Sequence, residues 1–173
     1  FTLLAAARGG AHSALVAVVG RRGAPLADAG KAMVAGAALA ARDINAGGGL
    51  NGTKLELVIE NDEAGTAPAR KIAEGVAERN IRYVVGHYTS APTLSAAEIY
   101  MRRRILLVAP SASAPRLTEP ADAPVLRLAP REDAQGRFAG EVMARDFPSD
   151  DLVIIRDGSA ASRILAAAAR RAL

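Results

Sequence analysis

The chain has 173 residues, half of them apolar, which is enough for one good hydrophobic core or one core plus part of a second. Its formal charge of +4 comes mostly from scattered Arg, and aromatics make up only 3%, so the clustered basic residues with interleaved aromatics of a nucleic-acid surface are missing. Without Cys, and with only His12 and His87, the sequence excludes disulfides and thiol chemistry, shows no Asp/Glu/His cluster at metal-ligand spacing, and calls for no cofactor.

Residues 1–14, "FTLLAAARGGAHSA", run from an apolar stretch into small residues and resemble the tail of a secretory signal. Arg8 and His12 keep that stretch below membrane-spanning length. "SALVAVVG" then reads as a strand closed by Gly20, and "KAMVAGAALAARDIN" carries apolar residues at helical spacing. That helix stops at "AGGGLNG", where Gly47 to Gly49 disfavour continuation and Asn51-Gly52 signals a turn. "KLELVIEND" alternates Leu55, Leu57 and Ile59 with Glu56, Val58 and Glu60, as a strand near a sheet edge does.

The same unit returns. "APARKIAEGVAER" is helical, "IRYVVGH" a buried strand, "APTLSAAEIYMRRR" a helix ended by Arg102 to Arg104, and "ILLVAP" a further buried strand. "PVLRLAP" is a short fifth strand, followed by helix "EDAQGRFAGEVMARDF", strand "DLVIIRD" and a last helical segment to Leu173. Strands alternating with helices of this length predict an α/β fold with a doubly wound parallel sheet. Its strands fall near 15–19, 54–60, 82–86, 105–109 and 124–128, ordered 2-1-3-4-5, with Pro130 near a crossover. The strand in "DLVIIRD" has no sheet of its own, and an exposed apolar strand tends to recruit another chain, so this chain is expected to self-associate or to keep residues beyond Pro130 loosely ordered.

In an open α/β sheet, ligands sit beyond the carboxyl ends of the strands. Both "HYTS" (87–90) and "SAS" (111–113) fall at such ends. Ser90, two residues before Pro92, is placed to cap a helix, and a helix start with short hydroxyls suits a carboxylate. Plain capping by Ser90 is the competing reading, as is a solvated loop held by Pro110 and Pro115 for Ser111 and Ser113. His87 reads as a packed or hydrogen-bonded loop residue, with no nucleophile-base-orienter set beside it. Asp62 and Glu63 at a strand end read as a solvated turn in preference to a catalytic carboxylate pair. "GRRGAPLADAG" is neither a dinucleotide fingerprint nor a P-loop, and no GxSxG elbow occurs, so an enzyme is disfavoured.

"GAALAARDINAGGGLNGTKLELVIENDEA", "YVVGHYTSAPTLSAAEIY" and "ILLVAPSASAPRLT" together resemble the branched-chain amino-acid (Leu/Ile/Val type) substrate-binding proteins of ABC transporters, within the type I periplasmic binding proteins. The likeness runs from about Leu15 to the end of the chain and is strongest from Gly36 to Thr118. The resemblance implies two α/β lobes of flavodoxin-like strand order that close on a ligand. It implies a first lobe over residues 15–129, the start of an incomplete second lobe over 130–173, and a chain about half the family length. The family's hydroxyl and backbone groups for a ligand's α-carboxylate and ammonium match Ser90, Ser111, Ala112 and Ser113, and Tyr88 would line the pocket. Two family tyrosines are absent, their places taken by Ala29 and Ala161. The implied function is that of a periplasmic solute-binding component delivering an amino acid to an ABC transporter permease. A ligand-sensing domain of the same fold, binding an amino acid or amide, is the alternative.

Overall fold

The computed structural model describes residues 13–20, 27–63, 65–149 and 151–173. The leader-like segment, residues 1–14, lies outside them apart from its last two positions, as does most of the loop that follows the first strand. Five strands form one sheet: β1 (Ala14–Val19), β2 (Leu55–Glu60), β3 (Tyr83–Gly86), β4 (Leu106–Ala109) and β5 (Val125–Arg127). Their order is β2-β1-β3-β4-β5 and every neighbouring pair is parallel, as the alternating pattern predicts. The edge position expected for "KLELVIEND" holds for β2, where Ile59 is 42% exposed.

Five helices complete the described elements: α1 (Ala27–Ala46), α2 (Thr66–Glu78), α3 (Ser90–Arg102), α4 (Glu132–Asp146) and α5 (Ala160–Ala172). A 3-10 turn at Pro115–Thr118 leads from β4 to β5. The chain steps one way from β1 to β2 and the other way from β2 through β3 and β4. Right-handed crossovers therefore place α1 on the face opposite α2 and α3. Helix α1 gives way to two glycines in left-handed backbone, Gly48 at φ 98° and Gly49 at φ 79°, a conformation glycine takes without steric cost. Asn45 in its last turn then clamps the return strand: its amide donates to Leu55 O at 2.9 Å while its oxygen accepts from Leu55 N at 2.8 Å.

The core lies between the sheet and the α2–α3 face. Ala17, Val19, Val84, Leu107 and Ala109 from the strands meet Ala69, Ala73 and Val76 of α2 and Ala96, Ala97, Ile99 and Tyr100 of α3, with Leu117 of the 3-10 turn closing one end. So many alanines let the helices ride close to the sheet, and Tyr100 supplies the bulk that fills the remaining space. Arg102 to Arg104 do finish α3: Arg102 is its last residue, Arg103 its cap, and Arg104 turns out at φ 52°.

One expected element is not formed. Residues 151–157, "DLVIIRD", lie outside any strand, and Val153 and Ile155 are 83% and 91% exposed. The composition suits a buried strand, but a strand is stable only when a neighbour takes up its backbone hydrogen bonds, and none of the described strands lies beside it. Beyond β5 the backbone leaves the sheet with a last bond from Leu128 N to Ala109 O and enters α4, which packs on α5 rather than on the sheet.

Candidate functional site

The carboxyl ends of β3 and β4 carry the two hydroxyl loops, and the fold brings them side by side. Gly86 closes β3 at φ 147°, and a Cβ there would collide with the Val19 carbonyl of β1. Only glycine lets the two strand ends approach so closely. The chain then turns through His87 to Thr89 into α3. Thr89, with extended backbone, is the N-cap, and Ser90 is the first helical residue. The capping role expected of Ser90 thus falls one position earlier, and it is met without a side-chain bond to the helix.

Ser90 is occupied otherwise. Its Oγ accepts the backbone N–H groups of Ser113 at 3.2 Å and Ala114 at 3.3 Å, so it joins the β3 loop to the β4 loop. Ser111 Oγ donates to the Tyr88 carbonyl, a second tie between the same loops. Ala112 is buried at 1% exposure and belongs to the core, which leaves its backbone as the part that can face a ligand. Ser113 Oγ donates to Glu132 Oε1 at 2.9 Å, while Glu132 N donates to Ser113 O at 3.0 Å. Tyr88, Ser90, Ser111 and Ser113 are all half-buried. The solvated-loop reading of Ser111 and Ser113 gives way to a loop cross-tied to its neighbours on both sides.

Beneath the loops lies a buried polar chain that the sequence reading missed in part. His87 Nδ1 is 2.6 Å from Asp62 Oδ2 at the end of β2, and its Nε2 is 3.2 Å from Tyr100 Oη on α3. A carboxylate can only accept, so Nδ1 carries a proton toward Asp62 and Nε2 faces the Tyr100 hydroxyl. Burial, reinforced by Asp62 and Glu60, pushes the Tyr100 phenol well above its ordinary value and keeps it protonated. Thr93 Oγ1 reaches the carbonyls of Thr89 at 2.6 Å and His87 at 3.2 Å, which fixes the loop from the helix side. His87 is a packed, hydrogen-bonded residue as expected, at 0% exposure. The solvated turn expected at Asp62 and Glu63 is half wrong: Asp62 is buried at 1% exposure to meet His87, and only Glu63, at φ 49°, faces solvent. The signal available was the position of Asp62 at a strand end.

A groove of about 510 Å³ lies elsewhere, between α2, α3 and the 3-10 turn, where Arg70 and Glu98 pair at 3.0 Å across its wall. None of the loop hydroxyls lines it.

Residues 15–173 match the family described as periplasmic binding protein. The chain belongs to the periplasmic binding protein family. It is 35% identical over 142 residues to the Leu/Ile/Val-binding protein of Escherichia coli K12, a match that takes in 82% of this chain and 39% of that protein. Among solved structures, an ABC transporter substrate-binding protein from Desulfitobacterium hafniense in complex with Leu is 26% identical with a TM-score of 0.79, over 93% of this chain and 47% of the other. A branched-chain amino acid transporter substrate-binding protein from Streptococcus pneumoniae in complex with isoleucine shares the fold at a TM-score of 0.82 and 24% identity, over the same shares of the two chains. The chain spans about two fifths of the length of the curated relatives it matches. The family resemblance drawn from the quoted segments and the sheet order expected of it both stand.

Proposed function

We propose that this chain forms the ligand-anchoring first lobe of a solute-binding protein that takes up an amino acid, branched-chain or similar, in the periplasm and presents it to an ABC transporter permease. Residues 15–129 make that lobe and 130–173 begin a second. The relatives are solute-binding proteins, which favours binding over turnover. The observation that carries the reading is the convergence of Ser90 and Ser113 from neighbouring strand ends, with Ser111 bonded to the Tyr88 carbonyl beside them. Short hydroxyls and free backbone groups at a helix start suit a carboxylate, and charge-assisted bonds there are the strong kind.

One lobe alone leaves the ligand wet on one side, so this chain binds weakly. Heteronuclear NMR titration of the isotope-labelled chain with leucine, isoleucine, valine and a polar amino acid tests the reading. Shifts confined to residues 87–90 and 110–114, larger for the aliphatic ligands, support it. An unchanged spectrum at saturating concentrations of all four sinks it. The exposed Leu128, Val153 and Ile155 also support association of this chain with a second copy. A monomer in light scattering, with residues 151–157 protected from hydrogen exchange, contradicts that part.

A further inference from the structure

Glu132 opens α4 and is 4% exposed, yet its carboxylate has one hydrogen-bond partner among the described residues, the Ser113 hydroxyl at 2.9 Å, and no ion pair. The nearby cations make their hydrogen bonds elsewhere, although the Arg127 charge is felt at Glu132 across space. Arg127 donates to Ala114 O at 2.8 Å and to Thr118 Oγ1, and Arg131 is paired with Asp133 at 2.6 Å. The positive end of α4 relieves part of the charge, but a buried carboxylate ordinarily demands a paired cation or several donors. A buried charge left under-satisfied beside a binding loop is one whose partner arrives with the ligand.

We propose that Glu132 is a positioning residue that makes the Ser113 end of the site selective for a ligand's ammonium group. Each serine hydroxyl has a single proton to give. Ser113 has one hydroxyl proton and gives it to Glu132, so toward the ligand it presents only lone pairs and accepts an N–H. Ser90 is set the other way: its Oγ already accepts two backbone N–H groups, which leaves its proton to donate to a carboxylate oxygen. Glu132 thereby fixes the direction of one of the two hydroxyls and places a negative charge behind it. A ligand with a carboxylate but no ammonium meets the same Ser90 and gains nothing at Ser113.

The inference rests on the amino-acid reading of the site, and the test separates the two. NMR titrations compare leucine with isocaproate, the same aliphatic carboxylate without the amino group, on the wild-type chain, Glu132→Gln and Glu132→Asp. Glutamine keeps the size and an acceptor oxygen and removes the charge. The expected result is that Glu132→Gln weakens leucine about tenfold, the span of a charge-assisted bond, and leaves isocaproate unchanged. Glu132→Asp should restore part of the preference. Because Glu132 acts through Ser113, Ser113→Ala should remove the same preference, and the double variant should lose little more than either single one. An unchanged ratio of leucine to isocaproate in Glu132→Gln, or an equal loss for both ligands, overturns the inference while the site reading stands. Failure of wild type to bind any amino acid overturns both. If Glu132→Gln does not fold, Glu132→Asp decides: equal loss of both ligands goes against the inference, and a loss for leucine alone supports it.

Discussion

His87 Nδ1 lies 2.6 Å from Asp62 Oδ2, with both side chains closed to solvent, so the end of β2 is tied to the start of the β3–α3 loop across the intervening β1. Tyr100 extends the tie to α3. The loop that presents Tyr88 and Ser90 is therefore held from below by three elements and does not depend on a ligand for its shape.

That arrangement sets the cost of cutting it. Replacing His87 with Ala removes a buried donor from a buried carboxylate and opens a cavity, and should destabilise the chain by about 3 kcal/mol or more. Tyr100→Phe removes only the hydroxyl and should cost about 1 kcal/mol. Urea unfolding followed by circular dichroism measures both. A loss under about 1 kcal/mol for His87→Ala would mean the chain of bonds carries little of the loop's stability.

The cross-tie between the hydroxyl loops predicts unequal consequences for the two serines. Ser90→Ala strips the acceptor from the Ser113 and Ala114 N–H groups and should cost about 1–3 kcal/mol of stability as well as weakening an amino-acid ligand about tenfold or more. Ser113→Ala should weaken the ligand by a similar factor. Its effect on melting should be the larger, because it strips the buried Glu132 carboxylate of its one hydrogen bond among the described residues, while the Glu132 N–H keeps its bond to Ser113 O. Thermal melts and NMR titrations of the two variants are the check, and equal melting losses would contradict the assigned roles.

The fold was legible because each strand and helix announces itself by period and by its terminating residues. "VVG", "LLVA" and the alternating "LELVIE" all became strands, and Gly47 to Gly49 ended α1 as read. "DLVIIRD" failed because a strand depends on its neighbours, which no local pattern encodes. The positions of Tyr88, Ser90, Ser111 and Ser113 at strand ends were legible too. Their partners were not, since Ser90 to Ala114 and Ser113 to Glu132 join residues 24 and 19 positions apart. Asp62 and His87 are 25 apart, and only the sheet order brings them together.

Acid should loosen the starts of α4 and α5 first. The Arg131 guanidinium bonded to Asp133 holds that carboxyl at about 2, and bonds from Ser162 and Ser159 hold Asp157 at about 2. Both lie below the ordinary carboxylate value of about 3.9, so each contributes stability above that pH and loses it as pH falls toward 2. Carboxyl carbon shifts followed through that window should show both midpoints near 2. Asp157→Asn should flatten the acid response of α5, and midpoints at ordinary values would dismiss the assigned bonds. Both groups are at least partly open to solvent, so high salt should shrink the Arg131–Asp133 part of the effect.

The seam between α4 and α5 makes a sharper test, because two opposing effects of one substitution can be weighed there. Gly136 and Gly140 are buried against α5; a Cβ at Gly136 would meet the Leu165 carbonyl and come within 2.8 Å of the Ala168 methyl, and one at Gly140 would meet the Ala169 carbonyl and come within 2.8 Å of Ala172. Alanine is the better helix former by about 1 kcal/mol, so an exposed helical glycine gains from the change. Gly75 of α2, half-buried but with nothing within 4 Å of the added Cβ, has the same room, and Gly75→Ala should stabilise the chain by about 0.5–1 kcal/mol. At Gly136 or Gly140 the backbone of α5 must move, and overpacking of that kind costs about 1–3 kcal/mol, which exceeds the propensity gain. Hydrogen exchange should therefore quicken at Ala166, Ala168 and Ala169 in Gly136→Ala and Gly140→Ala, while the amides of β1 and β3 stay as slow as in the parent chain. If Gly136→Ala instead slows exchange in α5, as Gly75→Ala should in α2, the two helices do not meet at this seam.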